Sequence, residues 1–418
     1  MPIADNTYAV VAGDLNRDGA LDLIVGNHGQ NLLYLNDGHG AFLTGTAFGG
    51  AELTTDLALG DLNGDRSLDI IAYNVGAPSV IYLNDGAGNL AQHATFAAAA
   101  EMGDEVTLGD LDGDNDYDLI AARAQGSSTV YQNDGQGHFT ELRSLAAGYG
   151  PLFIDEYGDS DLDLFLLQRD TAQPTRSALY RYRNDGRGGF SSMRINLSGG
   201  KPFAQQLAAG DIDGDGDVDL VLSSMGIAGC DGSDCEELRL YLNRGLFGFA
   251  AIKLDSAGAE TLALVDLDND GDLDITAAGL VADGQLPGDA QSRVYLNNGI
   301  NGLLQTASFA RVNVGAPQIQ ARDLTVSDLD NDGLLDVVLA STGANPIYQS
   351  QSGYFFGSCE TNLLLLDPRL MADLNGDGYQ DLVLQSGLIL LNDRTGNFRA
   401  DLSLPLLLDL GSDLATAD

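Results

Sequence analysis

The chain has 418 residues, with 61 Asp or Glu against 20 Lys or Arg and a formal net charge of −41. That balance argues against nucleic acid and anionic membrane surfaces as partners, since both would be repelled, and makes divalent cations the natural counterions. With 44% apolar residues and 53 glycines it can bury a sizeable core between many turns, and no stretch reaches the roughly 18 apolar residues of a membrane span.

The first predicted element is the apolar strand "YAVVAG", which runs into the acidic loop "DLNRDGALD" beginning at Asp14. A second strand, "LDLIVG", leaves the loop, and a third, "LLYLND", follows a polar turn. The tight turn "NDGHGAF" comes next; its glycines permit positive φ and its closing Phe anchors a fourth strand.

The same unit then recurs along the chain: "DLNGDRSLD" from Asp61, "DLDGDNDYD" from Asp110, "DEYGDSDLD" from Asp155, "DIDGDGDVD" from Asp211, "DLDNDGDLD" from Asp266, "DLDNDGLLD" from Asp328 and "DLNGDGYQD" from Asp373. Successive loops start 45 to 62 residues apart, a period of propeller blades rather than of helical solenoids. No window of helical length keeps a 3.6-residue period free of glycine. The expected fold is all-β, an eight-bladed β-propeller of four-stranded blades, with seven blades plus one divergent repeat as the alternative. Residues 1–411 form the propeller and 412–418 begin a further repeat or an assembly strand. The fourth unit is the expected outlier, because Tyr157 stands where the other loops carry Asp or Asn.

Aspartate is a poor strand former and clustered carboxylates repel, so the loops need a cation among them. Oxygen ligands at the first, third and fifth positions, a backbone carbonyl at the seventh and a carboxylate at the ninth suit a hard cation such as Ca²⁺. In the first loop these are Asp14, Asn16, Asp18, the carbonyl of Ala20, and Asp22. The corresponding residues are Asp61, Asn63, Asp65, Ser67 and Asp69 in the second loop, and Asp110, Asp112, Asp114, Asp116 and Asp118 in the third. The fourth offers Asp155, Asp159, Asp161 and Asp163, and its site is doubtful because Tyr157 is a poor ligand. The fifth has Asp211, Asp213, Asp215, Asp217 and Asp219, and the sixth Asp266, Asp268, Asp270, Asp272 and Asp274. Asp328, Asp330, Asp332, Leu334 and Asp336 belong to the seventh, and Asp373, Asn375, Asp377, Tyr379 and Asp381 to the eighth.

The sixth position must turn sharply, which Gly19, Gly216, Gly271, Gly333 and Gly378 permit; Arg66, Asn115 and Ser160 are expected to weaken their loops. The motifs hold 32 aspartates, more than half of all acidic residues, so turn-building alone does not account for them. This is not an EF-hand, since the last carboxylate is at the ninth position and the flanks are strands. Mg²⁺ seldom uses an all-protein cage, and Zn²⁺ would want His or Cys.

The pattern D-x-[DN]-x-D-G-x-x-D between two apolar strands, with a downstream "YLNDGxGxF", resembles the FG-GAP/VCBS repeat family, best known from the integrin α-chain propellers. The resemblance spans essentially the whole chain. It implies a Ca²⁺-bearing propeller, secreted or at the cell surface, whose metal loops share one rim and are structural. Family members serve adhesion, ligand binding and carbohydrate recognition, and some belong to polysaccharide-processing enzymes.

No catalytic constellation stands out. His39 and His138 fall in the Asn-Asp-Gly turns, His28 and His93 elsewhere, and no nucleophile elbow or phosphate-binding loop occurs. Tyr34, Tyr82, Tyr131, Tyr241, Tyr295 and Tyr348 recur at one place in the third strand and are expected in the core between blades. Segments 170–178, 226–237 and 279–292 lengthen the turn after the second strand of units four to six and are better places for a variable ligand site. Cys230 and Cys235 could close the loop "CDGSDC" in an oxidising compartment, while Cys359 has no obvious partner.

The expected function is therefore an extracellular, calcium-binding, non-catalytic module for adhesion, binding or assembly, with a lectin-like or polysaccharide-processing role as the alternative. Its partner would be a protein or glycan at the cell surface, or a second copy through the C-terminal strand; neither nucleic acid nor membrane insertion is expected. The start "MPIADNTYAVV" has no signal-peptide pattern, so an extracellular location implies a leader already removed and Met1 added.

Overall fold

Each repeat folds as an antiparallel meander whose strands pair in chain order. In the first unit these are Thr7–Gly13, Asp22–Asn27, Asn31–Tyr34 and Thr46–Phe48. The second strand of each unit is an apolar run rather than an alternating one, because it is covered on both faces: Asp22–Asn27, Asp118–Ala122 and Asp219–Ser224 are buried throughout. The fourth strand lies at the rim and is largely solvated, as in Thr140–Leu145.

The computed structural model describes residues 7–39, 41–42, 45–96, 105–156, 158–169, 177–195, 204–224, 237–245, 248–255, 257–282, 291–300, 307–314, 321–341, 347–349, 357–359, 368–384, 389–395 and 397–400. Their strands make eight sheets, seven of four strands and one of five. The architecture is an all-β propeller of four-stranded blades. The five-stranded sheet is the sixth, where the inner strand is split into Ala257–Gly258 and Thr261–Val265, both paired with Asp274–Ala282. The irregular unit is thus the sixth and not the fourth, whose strands Gly148–Ile154, Asp163–Arg169, Ser177–Asn184 and Phe190–Ile195 form an ordinary meander. Among the described residues no helix is long and apolar enough to cross a membrane.

The acidic loops do more than cap hairpins. The apolar residue at the second position is buried and packs into the next unit: Leu15 against Ile70 and Ala72, Leu62 against Leu119, Leu111 against Leu164 and Leu166, and Ile212 against Ile275. Leu267 reaches Val337 and Leu339, Leu329 reaches Met371 and Phe398, and Leu374 packs with Leu23 and Val25 of the first unit. That last contact joins the final sheet to the first by side-chain packing. Among the described residues each sheet is built from consecutive strands of its own unit.

Tyr34, Tyr82, Tyr241 and Tyr295 are buried as expected, Tyr131 is half-buried, and Tyr182 joins them from the fourth unit. The side chain of Tyr348, residues 412–418, Cys230, Cys235 and the side chain of Cys359 lie outside the described residues, as do most of the three long segments.

Candidate metal centres

All eight acidic loops share one backbone turn. The N–H of the sixth residue donates to a carboxylate oxygen of the first aspartate, as from Gly19 to Asp14 and Gly271 to Asp266, at 2.7–3.0 Å. The N–H of the seventh donates to the fifth carboxylate at 2.7–3.3 Å, which places Ala20, Ser67, Asp116, Asp161, Asp217, Asp272, Leu334 and Tyr379 at equivalent points. The turn requires positive φ twice, at the sixth position (69° to 95°) and also at the fourth (58° to 76°). Arg66, Asn115 and Ser160 adopt this conformation and keep the shared turn. The requirement at the fourth position accounts for Gly64, Gly113, Gly158, Gly214, Gly376, Asn269 and Asn331, a signal the sequence contained but whose cause it did not show.

The ninth-position aspartates Asp22, Asp69, Asp118, Asp163, Asp219, Asp274, Asp336 and Asp381 are no more than 2% exposed. Their Oδ2 accepts the second residue's N–H, as from Leu15 to Asp22, at 2.8–3.1 Å in every loop but the fourth. In seven of them, all but Asp336, Oδ1 accepts the N–H of the asparagine at or just after the end of the third strand, as from Asn36 to Asp22, at 2.7–2.8 Å. This carboxylate is therefore first a clamp between loop and turn, with lone pairs left for a cation. Burial, then neighbouring carboxylates, pushes Asp69, Asp118, Asp274 and Asp381 up to about 6 and Asp219 to about 7, although the backbone bonds oppose the shift.

The turn asparagine was missed by sequence reasoning as a functional residue. Its side-chain amide donates to the second-position carbonyl of the preceding unit: Asn84 to Leu15, Asn133 to Leu62, Asn184 to Leu111, Asn297 to Ile212 and Asn392 to Leu329, at 2.6–2.9 Å. The recurrence of "ND" after the third strand was the available signal, which was read only as turn chemistry.

At the third position the loops differ. Three carboxylates lie within 4.8 Å of one another at Asp110, Asp112 and Asp114; at Asp211, Asp213 and Asp219; at Asp266, Asp268 and Asp274; and at Asp328, Asp330 and Asp332. One oxygen each of Asp112, Asp213, Asp268 and Asp330 is wholly buried and has no hydrogen-bond partner. Such an oxygen is costly to bury unless a hydrogen-bond donor or a cation reaches it, and an all-oxygen donor set fits a hard divalent ion.

In the fourth loop Asp155 and Asp159 keep the shared turn, with Tyr157 outside the described residues. The second position here is Glu156, 2% exposed, where the other loops carry Leu or Ile. Arg181 donates to both Glu156 oxygens at 2.7 and 3.0 Å, and Oδ2 of Asp163 is left without a partner. Beside this loop an open cleft of about 800 Å³ is lined by Arg143, Asp159, Asp161, Arg183 and Phe190. His93 and His138 pack with ring centroids 4.5 Å apart, and His138 Nδ1 lies 3.2 Å from Asp134 within its turn.

A family model described as an FG-GAP-like repeat matches residues 14–72 and 155–222. Over these two stretches the chain carries FG-GAP-like repeats. Each matched stretch runs from an acidic loop to the second strand of the following unit, and the second includes the divergent fourth loop. Among curated proteins none matches the sequence. Among solved structures, Sqt1 from Chaetomium thermophilum has a TM-score of 0.53 at 10% identity, over 92% of this chain and 94% of that one. A lectin of Agrocybe aegerita that recognises non-reducing terminal N-acetylglucosamine has a TM-score of 0.47 at 17% identity, over 95% and 90%. The V. cholerae biofilm matrix protein Bap1 has 0.41 at 16%, over 94% and 80%. The likeness to Sqt1 concerns the fold alone, and the other two carry no argument about this chain.

Proposed function

We propose that the protein is an extracellular binding or assembly module, a ring of eight blades with the sixth carrying a split inner strand, whose acidic loops are held by Ca²⁺. The reading rests on one observation: four buried third-position carboxylate oxygens lack any protein partner while two further carboxylates stand within 4.8 Å. Asp110, Asp112 and Asp114, and their counterparts in the fifth, sixth and seventh loops, would hold the ions, which would neutralise the repulsion and fix each hairpin. Mg²⁺ would serve less well because it gives up its water reluctantly. The role is read as non-catalytic because the paired carboxylates are committed to the loops. The partner would be a protein or a glycan at the cell surface.

A ligand that binds only the folded chain stabilises it by mass action. Chelation should lower the melting temperature substantially, and Ca²⁺ should restore it at concentrations where Mg²⁺ does not. An unchanged melt in excess chelator overturns the calcium reading. A glycan array run beside an activity screen on acidic polysaccharides separates the binding module from the lectin-like or polysaccharide-processing alternative.

A further inference from the structure

We infer that the loops fall into two classes with different affinity for calcium, decided by the third residue of each loop; the inference rests on the calcium reading above.

In the third, fifth, sixth and seventh loops that residue is Asp112, Asp213, Asp268 or Asp330. Each keeps one wholly buried oxygen without a partner, and the Asp213 side chain as a whole is 0% exposed. Where the second oxygen is engaged, a side chain does so and leaves the first untouched: Gln132 Nε2 donates to Asp112, and Arg244 Nη1 donates to Asp213 Oδ2 at 2.8 Å. A small cation within the loop would satisfy what remains.

In the first, second and eighth loops the third residue is Asn16, Asn63 or Asn375. Its Oδ1 accepts the N–H of the fifth residue, Asp18, Asp65 or Asp377, at 2.9–3.0 Å. In the first two, Nδ2 also donates to the fifth carboxylate, at 2.8 Å on Asp18 and 3.1 Å on Asp65. The amide thus occupies acceptors that a cation would use and supplies a donor in its place. These loops close on themselves and lack the negative charge at the third position, and affinity for Ca²⁺ follows the number of charged ligands.

The test is equilibrium dialysis of the full chain against Ca²⁺ alone over a range of free concentration, for the wild type, Asn16→Asp, Asn63→Asp and Asp268→Asn. The expected wild-type result is a tight class of four ions, separated by at least about tenfold in affinity from the remaining sites. Asn16→Asp and Asn63→Asp should each move one site into the tight class, and Asp268→Asn should remove one. A single uniform class of seven or eight sites, unchanged by either Asn→Asp substitution, overturns the inference while leaving the calcium reading intact. A wild-type chain that binds no calcium overturns that reading instead. The two Asn→Asp variants decide the matter even if Asp268→Asn fails to fold, since they lie on exposed turns and add a ligand.

Discussion

The side-chain amide of Asn36 donates to the carbonyl oxygen of Leu374 at 2.7 Å across 338 residues of sequence. The same bond occurs at five other seams, as from Asn84 to Leu15 and Asn392 to Leu329, so the first and last sheets meet by a contact that recurs between neighbouring units. Asn36→Ala leaves that carbonyl and the one of Leu21 without a buried donor, and should cost about 2 to 3 kcal/mol. Urea unfolding measures it, and faster amide exchange in the first and eighth units should accompany it. Uniform exchange throughout the ring would argue that the bond closes nothing in particular.

The fourth loop carries a buried ion pair where its counterparts carry an apolar plug. Removing one member of such a pair strands the other, so Glu156→Leu should cost about 3 kcal/mol, whereas Glu156→Leu with Arg181→Leu should come within about 1 kcal/mol of the wild type. Chemical denaturation of the double-mutant cycle supplies the coupling. Additive losses would show that Glu156 and Arg181 act independently.

Asp56 bridges the second and third units, its carboxylate accepting the N–H groups of Leu57 and Val106, each at 2.9 Å. Burial raises its pKa above the ordinary carboxylate value, against those two hydrogen bonds. The folded chain therefore binds more protons than the unfolded chain between the ordinary value and the raised one. The contribution of Asp56 is fully present below that window and is partly lost as pH rises through it. The stability difference between wild type and Asp56→Ala should accordingly be larger at pH 4.5 than at pH 7.5, measured at fixed free calcium. A difference that grows with pH would contradict the sign.

Glycine at the sixth loop position answers to conformation rather than to space, because a Cβ at Gly271 would meet no atom within 4 Å while φ is 95°. Gly271→Ala should cost about 1 to 2 kcal/mol. Conversely Arg66→Gly, at φ of 72°, should gain up to about 1 kcal/mol, since relief of the left-handed strain outweighs the added freedom of the unfolded chain. Thermal melts of both variants test the pair.

Much of this was legible in the sequence because the determinants are local and repeated. Strand, acidic loop, strand and Asn-Asp-Gly turn follow one another within about 30 residues, and the first and fifth aspartates do meet the loop amides as their spacing implies. The period gave the propeller, and the oxygen pattern pointed to loops in which three carboxylates stand close enough to hold a metal ion. What the sequence could not decide depends on groups brought together from different units. Asn36 reads as a turn residue until the ring carries it to Leu374, and Leu15 reads as a loop residue until it packs against Ile70. Glu156 was overlooked beside Tyr157 because only a buried seam makes a charge at the second position costly. Aspartate and asparagine looked interchangeable at the third position for the same reason: local spacing fixes where a ligand sits, whereas burial and the available partners decide whether its oxygens are satisfied by the protein or left for an ion.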